Sequence, residues 1–332
     1  PSGFVALAQD NLAGTDQFIS AFSWIKNRDA TDSHMLFDRV RGATNDLHSD
    51  SNAAQVTNAN TVQSFLEAGV QVGNDVQVNT ANESYVLWNW MMEATGSGAS
   101  NTTGSINTIS TLVDTTLGLS ISTYTGTGSN ATVGHGLGVA PEMVIVKRTN
   151  TTGGWYVLHK SMGGGKFINL EGTGAASTSS GPWNNTLPTS SVFSLGTGTS
   201  TNASGGTFMC MAFAPSQFIS IGSYEGNGNA NGTFVPTVNS LGVPIQPVWT
   251  LNKNIDATAD WVLFDTVRNP TNVASKYFYP NATSAEQTAD AIDIDTGGFK
   301  WTNSNVLVNA VNTYIYMAIG TPIIDTDGRI IA

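Results

Sequence analysis

The sequence predicts an all-β protein built from three consecutive, related antiparallel β-sandwich modules of jelly-roll-like type, with few short helices. Three observations predict it: a segment that recurs along the chain, a composition dominated by Thr, Ser, Asn and Gly, and short aromatic or β-branched runs set between polar turns.

The recurrence is the strongest of these. Lys26-Asn27-Arg28-Asp29-Ala30-Thr31 through Leu36-Phe37-Asp38-Arg39-Val40-Arg41 returns 227 residues later as Lys253 to Arg268, with ten of sixteen positions identical. A more diverged copy centres on Lys147. Pro141 precedes Lys147 by six residues as Pro247 precedes Lys253, and eight residues after each lysine come Trp155, Trp261 and, in the first copy, His34. Each copy reads as a strand, a polar turn (150–154; 256–260) and a returning strand, Trp155-Tyr156-Val157-Leu158 or Trp261-Val262-Leu263-Phe264.

The modules also close alike. Ser84 to Trp90, Thr207 to Phe213 and Thr313 to Ile319 align as one final strand, preceded by turns that contain Asn79, Asn202 and Asn309. Such nearly continuous apolar runs suit a strand buried on both faces, as in the middle of a sandwich. The second and third modules share an opening, Ile121 to Gly128 and Ile221 to Gly228. The first lacks it, which reads as truncation at Pro1. The boundaries that follow are 1–94 for module one, 95–118 for a Thr/Ser/Gly linker holding one short strand from Ile106 to Val113, 119–217 for module two and 218–332 for module three. Short helical turns are expected over Asn52–Phe65 and Ser284–Ile292.

Composition limits function. Hydrophobic residues at 40% are enough for real cores, while charged residues reach only 11% against roughly 25% in average soluble proteins. The net charge is −11 and no basic run exists, which disfavours nucleic acid and anionic membranes as partners. No run of 18 apolar residues is present, so no membrane insertion is expected. The single cysteine, Cys210, reads as a small buried hydrophobe and permits no intramolecular disulfide.

These repeated elements resemble a domain found in tail-fibre and structural proteins of marine bacteriophages. The residues that carry the resemblance are Tyr224-Glu225-Gly226-Asn227-Gly228, Pro247 with Lys253, Trp261 to Asp265 with Arg268, Pro280-Asn281, Ala285-Glu286, Gly298-Phe299-Lys300 and the strand Tyr314 to Ala318. It spans most of 18–92 and 119–320. It implies a β-sandwich of jelly-roll or concanavalin-like type and a non-enzymatic virion component: a tail fibre or host-receptor-binding adhesin that contacts a surface glycan or protein. It also implies homo-oligomers, usually trimers, and other virion proteins as partners. Purely structural head, collar, tail-decoration or shaft proteins are the alternative, and a polysaccharide depolymerase the weaker one.

No catalytic or metal site is expected. His34, His48, His135 and His159 form no ligand spacing, and no Cys-x-x-Cys occurs. His34 stands where the other copies use Trp and reads as a packed ring; His159 as a surface or hydrogen-bonded residue; His135 as part of a mobile Gly-His-Gly turn. Asp38 and Asp265 recur with Arg41 and Arg268 and read as turn-capping carboxylates paired with their arginines. Lys26, Lys147 and Lys253 are expected to lay their stems over the sandwich edge. The glutamates at 67, 83, 93, 142, 171, 225 and 286 fall in no glycosidase pattern. Asp290, Asp293 and Asp295, and Asp325 with Asp327, read as solvated turns with Ca²⁺ binding as the alternative. Gly163-Gly164-Gly165-Lys166 is a loop, without the spacing of a phosphate cradle. Trp155, Trp183 and Tyr277 to Tyr279 are the aromatic candidates for stacking on a sugar, with no ligand-binding residue assigned.

Overall fold

Short alternating runs with few helix-forming surface residues fold here into strands. The computed structural model describes residues 2–6, 19–67, 69–92, 99–324 and 327, with the side chains of 2–6 and 290 outside the description. Within them helices are confined to single turns, Val76–Asn79, Ser180–Trp183 and Thr199–Asn202, and one 3₁₀ turn, Lys160–Met162.

Each module has a main sheet with the repeated final strand near its middle. In the third module, Thr313–Pro322 lies between Ile219–Glu225 and Ile245–Asn254, and Val262–Asp265 follows Ile245–Asn254 at the edge. In the second, Thr207–Phe213 lies between Leu119–Thr125 and Met143–Arg148. In the first, Tyr85–Met92 pairs antiparallel with Ile19–Asn27. On its other side runs Ser2–Ala6, at the place of the opening strand but in parallel orientation. A smaller second layer covers each main sheet: Val62–Leu66 with Gly69–Val72, Ala131–Gly134 with Val192–Leu195, and a four-stranded sheet from Phe234–Pro236 to Ala274–Tyr277. The predicted hairpin is present, with Lys147 opposite Trp155 and Met143 opposite His159.

The final strands are buried on both faces, but only one face belongs to a sandwich. Met209, Met211 and Phe213 enter a core common to all three modules, while Phe208, Cys210 and Ala212 enter the second module's own interior. Likewise Ile315, Met317 and Ile319 face the common core, and Tyr316 and Ala318 the third module's interior. Val86, Trp88 and Trp90 complete the common core from the first module. Because strand side chains alternate, one strand serves two cores, and each fully buried large side chain contributes about 1.5–3 kcal/mol. The three main sheets therefore surround a shared apolar centre.

Several expectations give way. Residues 99–118 are no free linker: Thr108–Asp114 pairs with Leu119–Thr125 at the edge of the second module's sheet, and Leu112 and Leu117 enter the common core. Residues 52–65 hold strands Val56–Thr57 and Val62–Leu66, and 287–295 form one strand, because pairing partners were available to both segments. Asp325 lies outside the described residues, as does the Asp290 side chain.

Candidate functional site

The residues that recur in sequence meet at the three seams between modules, and the seams repeat one geometry around the common core. Gln55 N–H of module one donates to Thr149 O of module two at 2.9 Å, Ala176 N–H of module two to Ile255 O of module three at 2.9 Å, and Glu286 N–H of module three to Arg28 O of module one at 2.9 Å. The acceptors each lie two residues after a repeated lysine, and the donors each lie seven residues after His48, Asn169 or Tyr279. The same contact passes from module to module until it returns to the first. The chain is an intramolecular ring with pseudo-threefold symmetry.

The lysines cross these seams instead of lying along an edge. Lys26 Nζ donates to the Asn27, Ala30 and Thr283 carbonyls at 2.9, 3.2 and 3.2 Å. Lys147 Nζ donates to Asn52, Ala53 and Gly153 at 3.1, 2.7 and 2.5 Å, and Lys253 Nζ to Thr173 and Ala259 at 3.1 and 2.7 Å. All three side chains are fully buried. Burial is the main reason that each pKa falls from 10.5 to about 8, with Asp32 and Asp50, Glu171 and Asp260 opposing it at the respective sites. A buried ammonium without a carboxylate partner is tolerated because backbone carbonyls take its protons.

The tryptophans eight residues on do the same work with neutral donors. Trp155 Nε1 donates to His48 O at 2.8 Å and Trp261 Nε1 to Asn169 O at 2.9 Å, each across a seam. His34, the third member, packs edge-on against Phe278 of module three with ring centroids 5.7 Å apart, a packed ring as expected. Asp265 caps its turn by accepting from Arg268 N–H at 2.9 Å and pairs with Arg268 Nε at 2.5 Å, as Asp38 does with Arg41 at 2.8 and 2.5 Å. His159 and Met162 replace that pair in the middle copy; His159 Nδ1 accepts from Ser161 N–H and its Nε2 lies 3.3 Å from Tyr316 O of module three.

The shared opening has an equally structural reason. Asn309 Oδ1 accepts from Asn227 N–H, Gly228 N–H donates to Asn309 O, and Tyr224 OH donates to Val308 O. Asn202 repeats this with Thr127, Gly128 and Tyr124. Gly226 must be glycine, since a Cβ there would stand 2.0 Å from Ala310 O. Asn79, in the module without that opening, is exposed.

Little remains for ligand chemistry. All eight tryptophans are buried, Trp155 and Trp183 with no exposed surface, and Tyr277 and Phe278 are buried with Tyr279 half-buried. His135 is buried rather than in a mobile turn: Nδ1 accepts from Leu137 N–H at 3.1 Å and Nε2 lies 3.1 Å from Thr189 O. Burial holds the His135 pKa below 6.5 and brings that of His159 to about 4. Asp32 and Glu83 approach each other by sharing the Asn27 amide, both at 2.6 Å, and so brace a turn. Glu142 is tied to Lys160 and to Ser240 of module three, each at 2.5 Å. Gly163 adopts the left-handed φ of a loop. Among the described residues no three His, Cys, Asp or Glu stand close enough to hold a metal, and no helix is long and apolar enough to cross a membrane. An open depression of about 440 Å³ is lined by Ala99, Ser100, Asn101, Thr102, Thr103, Thr111 and Val113, without a titratable group.

The signal for the seams was present in the sequence as the repeat itself; what it omitted was the partner of each repeated residue, which lies in a different copy. Among known proteins, no curated protein and no solved structure matches the chain. A family model does match, over residues 8–321, and the chain thus belongs to the family described as a domain of unknown function, DUF7483.

Proposed function

We propose that this protein is a non-catalytic structural component of a bacteriophage virion, a tail-fibre or decoration element that works as a rigid single-chain ring. The observation that carries this reading is the assignment of the repeated residues: Lys26, Lys147, Lys253, Asp38, Asp265, Asn202 and Asn309 all serve seams or turns. The marine phage resemblance supplies the setting. The threefold arrangement that such proteins usually reach by homotrimerisation is here supplied within one chain, so a monomer in solution is expected.

A scaffolding role is favoured over glycan adhesion. Sugar recognition draws on exposed aromatic faces, and the tryptophans that were candidates are inside. Labelling intact phage particles with an antibody to this chain, viewed by electron microscopy, tests the reading; absence from the particle overturns it. Incubation with host capsule or lipopolysaccharide separates the depolymerase alternative, for which new reducing ends are the positive result.

A further inference from the structure

Of the three seams, the one between modules one and three differs in kind. Chain continuity ties module one to two and module two to three, so only the one-to-three seam closes the ring without a covalent neighbour. It is also the only one with an ionic bridge from module to module among the described residues. Glu286 accepts from Arg28 Nε and Nη2, both at 2.9 Å, and from Arg268 Nη1 at 3.0 Å. At the equivalent places the other seams hold Thr149 and Ile255 for Arg28, and Gln55 and Ala176 for Glu286. Trp88 Nε1 of module one adds a bond to Asp265 of module three at 3.2 Å.

This is also the seam at which histidine replaces tryptophan. Trp24 Nε1 donates to His34 Nδ1 at 2.9 Å, so the neutral ring carries its proton on Nε2, which faces the Tyr279 backbone without a hydrogen bond of full geometry. Protonation must occur at Nδ1 and break the Trp24 bond. The charged groups around His34 are Lys26 and Asp50 of its own module, Asp50 accepting from His34 N–H at 2.7 Å, with Asp32 beside Lys26; from module three come Arg268, its partner Asp265 and Glu286. The nearest cations, Lys26 and Arg268, stand on both sides, so an imidazolium would repel across the seam.

We propose that the seam between modules one and three is a releasable clasp that acidification opens, while the seam between modules one and two stays shut. Burial first, then Lys26, hold the His34 pKa well below 6.5 in the closed ring. An open seam restores the ordinary value, so opening gains a proton as pH falls below 6.5. Glu286 is held below the usual carboxylate range by Arg28 and Arg268 against the opposing effect of burial, and stays ionised at pH 5. His159, whose Nε2 faces Tyr316 O across the two-to-three seam, is also held low by burial, but its neighbouring cation, Lys160, stands on its own module, whereas His34 meets Arg268 of the other module.

Native-state hydrogen exchange on the full chain at pH 7.5 and 5.0, corrected for intrinsic rates, reads the three equivalent amides. The Glu286 amide is expected to lose protection at pH 5.0, by up to roughly thirtyfold at about tenfold per pH unit below 6.5, while Gln55 keeps its own. Equal loss at Gln55 and Glu286, or no loss at Glu286, overturns the proposal. His34→Trp, which installs the residue of the other copies, is expected to abolish the loss at Glu286; persistence of the loss in a folded variant also overturns it. The wild-type comparison decides alone where that variant does not fold.

Discussion

Lys147 of module two donates its ammonium to the Asn52 carbonyl of module one at 3.1 Å, and the adjacent Ala53 carbonyl takes a second bond at 2.7 Å. Replacement by Met preserves the stem but removes three ammonium–carbonyl bonds, to Asn52, Ala53 and Gly153, of which Asn52 O keeps a second bond from Gly153 N–H. A hydrogen bond to a charged group contributes about 1.5–3 kcal/mol, offset in part by the cost of burying the ammonium, so Lys147→Met is expected to destabilise the protein by about 2–3 kcal/mol. Calorimetry checks this; an unchanged melting temperature would mean that water reaches the seam.

The three seam lysines also set a pH dependence. Each has a pKa of about 8 in the fold, chiefly through burial, against 10.5 in the unfolded chain. Between these values the unfolded chain holds protons that the fold releases, so stability rises with pH from 8 toward 10, by about 1.4 kcal/mol per pH unit for each lysine. Above pH 10 the trend reverses. Burial raises the pKa of Tyr124, Tyr224 and Tyr316, and that of Tyr314 to about 12, so the unfolded chain ionises first. Urea unfolding at pH 7.5, 8.5 and 9.5 should show midpoints that climb, and a shallower climb in Lys147→Met.

Much of this architecture was legible because strand periodicity and repetition are local signals. The Lys147–Trp155 hairpin follows from aromatic and β-branched runs around a polar turn, and the three final strands from nearly continuous apolar runs that recur. The Asp265–Arg268 pair was legible because both partners lie within one turn. The ring was not. A repeat states that modules are alike, but Lys253 meets Thr173 at a separation of 80 residues, and no local pattern encodes which face of one copy meets another. The aromatic candidates failed for a related reason. Trp155 adjoins a loop in sequence, yet that loop's outside is the next module. The helical turn expected over 284–292 was misplaced because pairing of Gln287–Asp295 with Gly298–Trp301 overrides weak propensity.

Asn309 and Asn79 occupy equivalent positions with different consequences. Asn309 is fully buried; its amide donates to the Asn229 and Asn303 carbonyls at 2.7 and 2.8 Å. Asn79 is exposed and makes one side-chain bond, to Gly73 O at 2.7 Å. Asn309→Ala is expected to cost about 2–4 kcal/mol through the loss of its donations to the Asn229 and Asn303 carbonyls and of the bond that its Oδ1 accepts from Asn227 N–H, and Asn79→Ala at most about 0.5 kcal/mol. Denaturant midpoints of the two variants should differ accordingly; equal effects would show that the recurring asparagine is not what holds the opening to the final strand.

Cys210 reports on the second module alone. It stands on Thr207–Phe213 with its side chain in that module's own core, and its Sγ lies 3.0 Å from Ser122 Oγ. Burial pushes its thiol up to about 12, so at pH 8 it is neither ionised nor accessible. Reaction with a disulfide reagent at pH 8 is expected to be negligible in the native protein and complete, with one thiol per chain, in guanidinium. Because the strand's opposite face carries the common core, exposure of Cys210 requires the second module to come apart rather than the ring to open. Labelling at pH 5.5 with a reagent that reacts in acid should therefore stay slow even where the one-to-three seam has parted. Fast native labelling would mean that the second module's interior opens independently of the seams.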